Sequence, residues 1–369
     1  MRSNSITLQA ITVPVVLATS LAGTAYAQSS VTLFGVVDMA LAHGSGSIAN
    51  QNQLVSNYLA ASRIGFRGIE DLGGSLKAGF WLESGINANN GSGQTTNTNN
   101  QLSGITGNGG LTFNRRSTLS VGNNWGEIRL GRDYVPQYMN LADFDPFDLS
   151  GSGGSQVLNS SITGPTLVRA SNSISYLYGH DFNASSVGYG PQGFSGSGFQ
   201  FNAMYYMGEN PGGSLTSQDG NGYGVRAGYS TGNFTVSGAI GRTRYAAGDV
   251  RQNNAGASYD FGVAYAMGMY EWDKNGPISA RGWLVGARIP VGVGSIRIAY
   301  SRYSTDAASS PTAKKWAIGY IYTLSKRTAL YTALAHVSNG GTSASALDGA
   351  VTAPGKSSNG FDIGIRHNF

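Results

Sequence analysis

The sequence has no cysteine and few charged residues. Of its 369 residues, 12% are charged, whereas 11% are aromatic and 55 are glycine. The absence of cysteine excludes disulfides and thiolate metal sites. Low charge together with many aromatic residues and glycines does not suit an ordinary cytosolic domain. The formal net charge of +5 is a mild excess, and no cluster of Lys and Arg with interleaved aromatics predicts a nucleic-acid partner.

The body of the chain also lacks hydrophobic runs long enough for a transmembrane helix. The apolar run Ile11–Leu21 follows Arg2 and precedes Ala25-Tyr26-Ala27, which has the pattern of a signal-peptide cleavage site. This run is shorter than the ~20 apolar residues of a spanning helix, which favours a signal peptide over a membrane anchor. We therefore expect a signal peptide at 1–27 and the mature protein at 28–369. Export without helices leaves a secreted β-protein or an outer-membrane barrel.

From Ser30 onward, apolar and polar residues alternate. In Ser75–Asn87, for example, Ala78, Phe80 and Leu82 lie on one side, and Lys77 lies on the other. Such alternation is typical of a strand with one apolar and one polar face. About sixteen such segments of roughly ten residues follow one another, which is the length of a tilted strand that crosses a bilayer. A mean hydropathy of -0.15 agrees with this, because the two faces cancel.

The connections between these segments alternate in length. Short turns such as Leu72-Gly73-Gly74 alternate with long polar connections, which predicts short periplasmic turns and long outer loops. The insertion Gly179–Ser197 is an exception, because a tight turn is expected there. In a soluble sandwich the apolar side would face a core rich in Leu, Ile and Val. Here the polar side is small or charged, and aromatic residues lie near the strand ends, so the pattern favours a transmembrane barrel.

The connection from Tyr134 to Ala170 has neither a strand nor a helix period. It mixes Pro, Phe, Leu and Met with three acids, Asp143, Asp145 and Asp148. A long irregular connection in a compact protein is usually functional or disordered, and this one is too apolar for a solvated tail. We predict that it folds inward against the protein and presents its carboxylates to a polar space.

Several segments make the chain recognisable. They are Val31-Thr-Leu-Phe-Gly35, Ser62-Arg-Ile-Gly-Phe-Arg-Gly68, Arg129-Leu-Gly-Arg132-Asp-Tyr134, Asn172-Ser-Ile-Ser-Tyr176 and the terminal Phe369. In their order and spacing they resemble a Gram-negative general porin, most closely the trimeric outer-membrane porins of β-proteobacteria, over the whole mature chain. The resemblance implies an all-β fold: a transmembrane antiparallel β-barrel of sixteen strands, with an inward-folded third loop in the lumen.

A charged constriction is the chemistry that this architecture would carry, because acids on an inward loop facing arginines on the wall create a transverse field. Strand parity points Arg63, Arg67 and Lys77 into the lumen. The resemblance places constriction arginines at Arg63, at Arg115 or Arg116, and at Arg169; parity favours Arg116 over Arg115. It also places an acid at Asp145 and a second one near Asp148, although the loop reads Asp-Pro-Phe-Asp instead of the family's Pro-Glu-Phe-Gly. The expected constriction comprises Arg63, Arg67, Lys77, Arg115, Arg116, Arg169, Asp143, Asp145 and Asp148.

For any single arginine of this set, a solvated or ion-paired side chain without a role is the commoner alternative. Loop solvation or capping is an equal alternative for Asp143. The hypothesis of a constriction therefore depends on several inward arginines lying opposite three aspartates.

Two residues are expected to act outside the pore. Arg132 shares the outward face with Ile128 and Leu130, where an unpaired charge against lipid is costly. The resemblance implies a contact with a loop of the neighbouring subunit, so Arg132 is a candidate for the trimer interface. Because Asn87–Phe113 contains no Asp or Glu, a carbonyl or another loop has to receive it. Phe369 resembles the terminal signal that the barrel-insertion machinery reads.

The sequence thus predicts a general diffusion porin for small hydrophilic solutes and ions, with no cofactor, no metal and no enzymatic turnover. Its expected partners are two further copies in a homotrimer, outer-membrane lipid and lipopolysaccharide, and the barrel-insertion machinery. Inward cations outnumber inward acids, and Arg288, Arg297 and Arg366 lie near periplasmic strand ends, which predicts a positive vestibule and weak anion selectivity. A substrate-specific channel, with a ladder of lumen aromatics, is one alternative. An outer-membrane hydrolase using a Ser–His pair is another.

Overall fold

The computed structural model describes residues 30–107, 109–156, 164–184 and 197–369. The expected signal peptide at 1–27 lies outside these ranges, as do residues 185–196 of the insertion. One α-helix, α1 (Pro136–Asp143), and one 3-10 helix, Leu102–Gly104, occur in the described ranges. The strands of these ranges are β1 Ser30–Ser45, β2 Gln51–Ser56, β3 Arg63–Gly73, β4 Leu76–Asn87, β5 Ser92–Gly93, β6 Thr96–Asn97, β7 Ile105–Thr106, β8 Arg116–Asn123, β9 Gly126–Tyr134, β10 Arg169–Tyr178, β11 Gly198–Tyr206, β12 Gly222–Thr231, β13 Phe234–Thr243, β14 Val250–Asp260, β15 Tyr265–Asn275, β16 Ile278–Val291, β17 Gly294–Thr305, β18 Thr312–Thr323, β19 Thr328–Gly340 and β20 Ser358–Asn368.

Sixteen of the described strands form one closed antiparallel barrel, and the short strands β2, β5, β6 and β7 belong to the connections at one of its ends. Each barrel strand pairs with the next one along the chain. The first strand closes the barrel, because Ser30–Val36 pairs with β3 and Val36–Ser45 pairs with β20. Closure leaves no barrel strand as a free edge. The predicted sixteen-stranded barrel is confirmed.

The two faces of each strand follow the alternation in the sequence. In β18, Ala313, Lys315 and Ala317 are buried on the inner side, whereas Trp316 and Ile318 are exposed on the outer side. Exposed aromatic residues lie near both ends of the strands, as the aromatic girdles of transmembrane barrels do. Among them are Phe199 and Tyr205 on β11, Tyr223 and Tyr229 on β12, and Tyr259 and Trp272 on β14 and β15. No helix in the described ranges is long and apolar enough to span a membrane.

The connection between β9 and β10 folds into the barrel. It begins with α1, where Pro136 occupies the first turn, a position that suits proline because no N–H partner is lost. Gln137, Met139 and Leu141 of this helix are almost completely buried, because the helix packs against the inner wall around β12 to β14. We call the residues from Val135 to Val168 the inward loop; positions 157–163 lie outside the described ranges.

The inward loop lies on wall positions that have no side chain. A Cβ atom at Gly256 would run into the ring of Phe144, and one at Gly319 would come within 2.9 Å of the ring of Phe147. The loop can therefore approach the wall closely. The inward-facing glycines that it covers are Gly224, Gly241, Gly256, Gly286 and Gly319 on β12, β13, β14, β16 and β18.

Candidate functional site

Two loop aspartates bind cations of the barrel wall. Asp143 forms an ion pair with Arg226 of β12. Asp148 accepts hydrogen bonds from Arg288 Nη2 at 2.6 Å and from Arg297 Nη1 at 2.8 Å. Desolvating a carboxylate is costly unless a cation and further donors compensate, and these arginines provide both. Arg288 and Arg297 thus share one carboxylate, which compensates one of their two positive charges. The positive vestibule, to which Arg366 was also expected to contribute, stays a prediction.

Asp145 binds its own loop. Its Oδ1 accepts the Phe147 N–H and its Oδ2 accepts the Ser155 N–H, each at 2.7 Å. Burial raises the pKa of Asp145 to about 6, although the two N–H donors oppose the rise. Asp143, Asp145 and Asp148 are 8%, 0% and 8% exposed. The structure thus differs from the prediction that they face a polar space, because partners on the wall and in the loop bury them.

Further contacts fix the loop along half of the barrel wall. Lys315 donates a hydrogen bond to the Gly154 carbonyl at 2.6 Å. Ser152 donates through its hydroxyl to Asp348 Oδ2 at 2.7 Å. With the aspartate contacts, these bonds hold the loop against β12 to β19, so the open path through the barrel is displaced toward β3, β4 and β8.

On that opposite side, basic residues gather around one acid. Arg115 Nε lies 2.5 Å from Glu83 Oε1, and Arg63 Nε lies 3.6 Å from the same oxygen. Arg115 also donates to the Tyr134 hydroxyl at 2.7 Å. The guanidinium carbon of Arg169 lies 4.1 Å from the centre of the Tyr134 ring, at cation–π distance. We call Arg63, Arg115, Arg169 and Glu83 the basic cluster.

Arg116 occupies a different place from Arg115. Parity favoured Arg116 as the constriction arginine, and its side chain does lie on the inner wall. Both arginines are buried, since Arg115 is 5% and Arg116 is 3% exposed. Arg116 donates to Asn183 Oδ1 at 2.9 Å and to the Ala184 carbonyl at 2.7 Å. Arg115 precedes the first residue of β8, so strand parity does not govern its direction. Which of the two arginines acts on passing ions stays a prediction.

Arg67 and Lys77 are exposed between the basic cluster and the end of the barrel with the short turns, such as Thr231–Phe234. The guanidinium carbon of Arg67 lies 5.0 Å from the ring centre of Trp81 and 5.5 Å from that of Phe34. Neither cation forms a salt bridge with a residue of the described ranges. Both therefore add positive charge to this part of the lumen.

Arg132 finds its partners within its own chain. Its Nε donates to the Asn114 carbonyl at 2.6 Å, and its Nη1 donates to the Asn97 carbonyl at 3.0 Å and to Ser171 Oγ at 2.8 Å. The connection between β4 and β8 thus receives the cation through carbonyl oxygens. Oxygen atoms of its own chain therefore satisfy Arg132, and its contact with a neighbouring subunit stays a prediction.

Phe369 lies at the seam between the first and last strands. Its N–H and C=O form 3.0 Å hydrogen bonds with Gly35, and its ring covers the Gly35 Cα. A side chain at position 35 would displace this ring.

Asp38 was not among the site residues predicted from the sequence, but its side chain fixes the chain between β2 and β3 against the inner wall. It accepts the N–H groups of Tyr58, Leu59 and Ala60 and the hydroxyl of Tyr331 at 2.6–3.1 Å. An acid at an inward position in the middle of a strand was the available signal. In the described ranges, no group of three or more His, Asp or Glu side chains could hold a metal ion.

Comparison with known proteins gives concordant matches. Residues 10–342 match the model of a family described as Gram-negative porin. The outer membrane porin protein 32 of Delftia acidovorans is 35% identical, and the alignment covers 94% of this chain and 96% of that protein. An outer membrane porin protein of Bordetella pertussis is 27% identical, and its alignment covers 94% of this chain and 96% of that protein. Among solved structures, an anion-selective porin from Comamonas acidovorans has a TM-score of 0.76 at 33% identity, over 93% of this chain and 100% of that one.

Proposed function

Because the chain belongs to the Gram-negative porin family, we propose that it forms a trimeric general diffusion channel with a weak preference for anions. As a member of this family it is a porin of the Gram-negative outer membrane, and it conducts passively instead of catalysing a reaction. The trimer, the ion preference and the constriction residues are the parts that we propose.

The distribution of charge in the lumen carries the proposal of an anion preference. Loop carboxylates Asp143 and Asp148 are paired with arginines of β12, β16 and β17. On the other side of the path, the basic cluster offers three cations to one acid, and Arg67 and Lys77 follow toward the short turns. A charged ring of one sign admits the opposite ion. A solved relative at 33% identity is named as anion-selective, which supports the same sign.

The constriction that we propose therefore contains fewer residues than the sequence predicted. Arg63, Arg115 and Arg169 line it with Glu83. The inward loop forms its other side, where Asp143 and Asp148 are paired with arginines of the wall. The inward loop limits the size of solutes because it lies inside the lumen against the wall, and the basic cluster determines the charge preference.

The remaining partners follow from the outer surface. We propose that the apolar belt contacts membrane lipid and lipopolysaccharide, and that the barrel-insertion machinery recognises Phe369. The trimer is proposed from the resemblance to trimeric porins of β-proteobacteria.

Single-channel recording in a planar bilayer tests the proposal. Purified protein should give stepwise current increases, and the reversal potential in a KCl gradient should have the sign of an anion preference. Detergent without protein serves as the control. A silent membrane would refute the channel, whereas a clear cation preference would refute only the assignment of the charges.

A further inference from the structure

The connection between β10 and β11 follows a different path from the other connections at its end of the barrel. At this end of the barrel the other connections, such as Asn123–Gly126 and Thr231–Phe234, turn tightly outside the lumen. After Gly179, in contrast, the chain turns inward, and 180–184 contact the inner surfaces of β3, β4, β8 and β9. We call 180–184 the inner segment.

Asn183 anchors the inner segment. Its N–H donates to Glu127 Oε2 at 2.8 Å, and its Nδ2 donates to the carbonyls of Phe80 at 3.1 Å and Gly68 at 3.3 Å. Its Oδ1 accepts from Arg116 at 2.9 Å. The residue is 3% exposed and has a φ of 53°, a left-handed conformation that asparagine adopts more readily than most residues. Such complete use of a buried amide indicates a fixed position and not a chance contact.

Phe182 packs on the wall in the same way as the inward loop does. A Cβ atom at Gly79 or at Gly122 would lie 3.0 Å from the Phe182 ring. Gly79 and Gly122 are inward positions of β4 and β8, so the ring lies on a part of the wall without side chains. On the other side of the barrel, the rings of Phe144 and Phe147 pack in the same way on Gly256 and Gly319. The wall is thus shaped to receive an inserted segment on both sides.

The inner segment contacts Arg116 and Glu127, which belong to a group of four buried charges. Arg116, Glu127, Arg129 and Asp133 are each 3% exposed. Arg129 bonds Asp133 Oδ2 at 2.6 Å and Glu127 Oε1 at 2.8 Å. Two cations and two acids compensate each other, so their burial removes no net charge from the ion path.

From these contacts we propose that the inner segment is a second lumen-narrowing element, which enters from the short-turn mouth and determines the pore size in that half of the barrel. The inference rests on the proposed function, because narrowing has meaning only for a channel. The inward loop and the inner segment then select solutes in series: one beside the basic cluster, the other below it.

A cavity of about 790 Å³ lies beside the inner segment at this mouth. Its lining includes the charged residues Asp71, Lys77, Glu127 and Asp181, together with His180 and Phe182. Burial and the nearby Arg226 and Arg129 lower the pKa of His180 to about 4, so His180 adds no charge at neutral pH. A small hydrophilic anion that leaves the basic cluster passes Lys77 and the inner segment, whereas a bulky solute meets the second restriction.

A single-cysteine experiment tests this directly, because the protein contains no cysteine. Asp181 is exposed on the inner segment, so Asp181→Cys can be labelled with a bulky neutral maleimide and the labelling verified by mass before reconstitution. We expect labelled D181C channels to lose part of their single-channel current relative to unlabelled D181C. The matched control is Asn233→Cys, which is exposed in a tight turn at the same mouth and should conduct equally with and without the label.

Asn183→Ala provides a second measurement. Loss of the anchor should raise single-channel conductance above that of the wild type with little change in reversal potential, because the four buried charges are balanced. Equal currents in labelled and unlabelled D181C, or an unchanged conductance in N183A, would overturn the inner segment as a narrowing element and leave the porin function intact. Both ideas fail together if the wild type forms no channel.

Discussion

Arg226, Arg288 and Arg297 bind carboxylates of the inward loop, whereas Arg67 lies on the opposite side of the lumen and stacks on aromatic rings. All four are inward arginines of one barrel wall. A buried carboxylate draws a guanidinium because the unpaired charge would be costly. The partner of each arginine therefore decides whether it holds the loop or acts on passing ions.

Asp145 gives the pore a pH response. Burial raises the pKa of its carboxyl to about 6, so it takes up a proton as the pH falls from 7.5 to 5. The pore then loses one negative charge, and the anion preference should strengthen at the lower pH. The reversal potential in a KCl gradient, measured at both pH values, checks this.

The variant Asp145→Asn should show the stronger anion preference at both pH values. The control is Asp260→Asn, which makes the same charge change at an exposed position beside a turn, where Asp260 Oδ1 accepts the Gly262 N–H at 2.7 Å. This variant should keep the pH response of the wild type. Burial also raises the pKa of Asp143 to about 6, so part of the response can remain in D145N. A response that is undiminished in D145N would assign it to Asp143 or another group.

For single residues, strand parity predicted which side chains point into the lumen, but it did not predict which residues they bind. The inward direction of Arg63 and Arg67 follows from period-2 pairing alone, which is local. The ion pair of Asp148 with Arg288 joins residues 140 positions apart, and it depends on where the loop lies against the wall. No local pattern encodes that position. Arg115 shows the other limit, because parity ends where the strand ends.

Among the secondary-structure elements, the inward loop lies where the wall strands have inward-facing glycines. On β18, Gly319 shares the inward phase with Lys315 and Ala317, and Phe147 lies on it. Inward glycines recur on several wall strands, and this pattern could have predicted from the sequence where the loop lies. The inner segment could be recognised only as an insertion of unusual length, because its anchor Asn183 bonds four separate strands.

We predict that Gly256→Leu displaces the inward loop. The new side chain would collide with Phe144, and overpacking of this kind typically costs ~1–3 kcal/mol. The thermal unfolding midpoint should fall and the single-channel conductance should change. The control is Gly238→Leu on the adjacent strand, where a Cβ atom would have no neighbour closer than 3.6 Å. Equal effects of the two substitutions would mean that strand propensity, and not the loop contact, is responsible.

Deleting Phe369 should lower the yield of folded protein in the outer membrane without reducing export. The deletion removes the two backbone bonds to Gly35 and the ring over the barrel seam, together with the terminal signal proposed for insertion. Fractionation of the outer membrane and periplasm measures the two effects separately. Phe369→Tyr keeps the ring and should assemble normally, and a normal yield from the deletion would refute the role.

At the scale of the whole molecule, Arg132 links a loop to the barrel surface. Arg132→Leu removes its hydrogen bonds to Asn97, Asn114 and Ser171, so the connection between β4 and β8 loses its hold beside the proposed subunit contact. We expect trimers to dissociate at a lower temperature in detergent, with unchanged single-channel conductance. Arg251→Leu removes another outward cation, one that is exposed on β14, and should leave the dissociation temperature unchanged. If R132L trimers are as heat-stable as the wild type, Arg132 serves only the fold of its own chain.

The ion preference is also a property of the whole lumen, since it sums charges that lie on different strands. At low salt the field of the basic cluster reaches across the pore, because the screening length is ~30 Å at 0.01 M and only ~3 Å at 1 M. The anion preference should therefore be largest in dilute KCl and fade as the salt concentration rises. Arg63→Glu should shift it toward cations, because the change places a second acid beside Glu83, 3.6 Å from the present arginine. Arg327→Glu makes the same charge change in an exposed turn outside the lumen and should shift the reversal potential far less. A wild type that prefers cations at every salt concentration would show that Glu83 and the loop carboxylates outweigh the arginines despite their pairing.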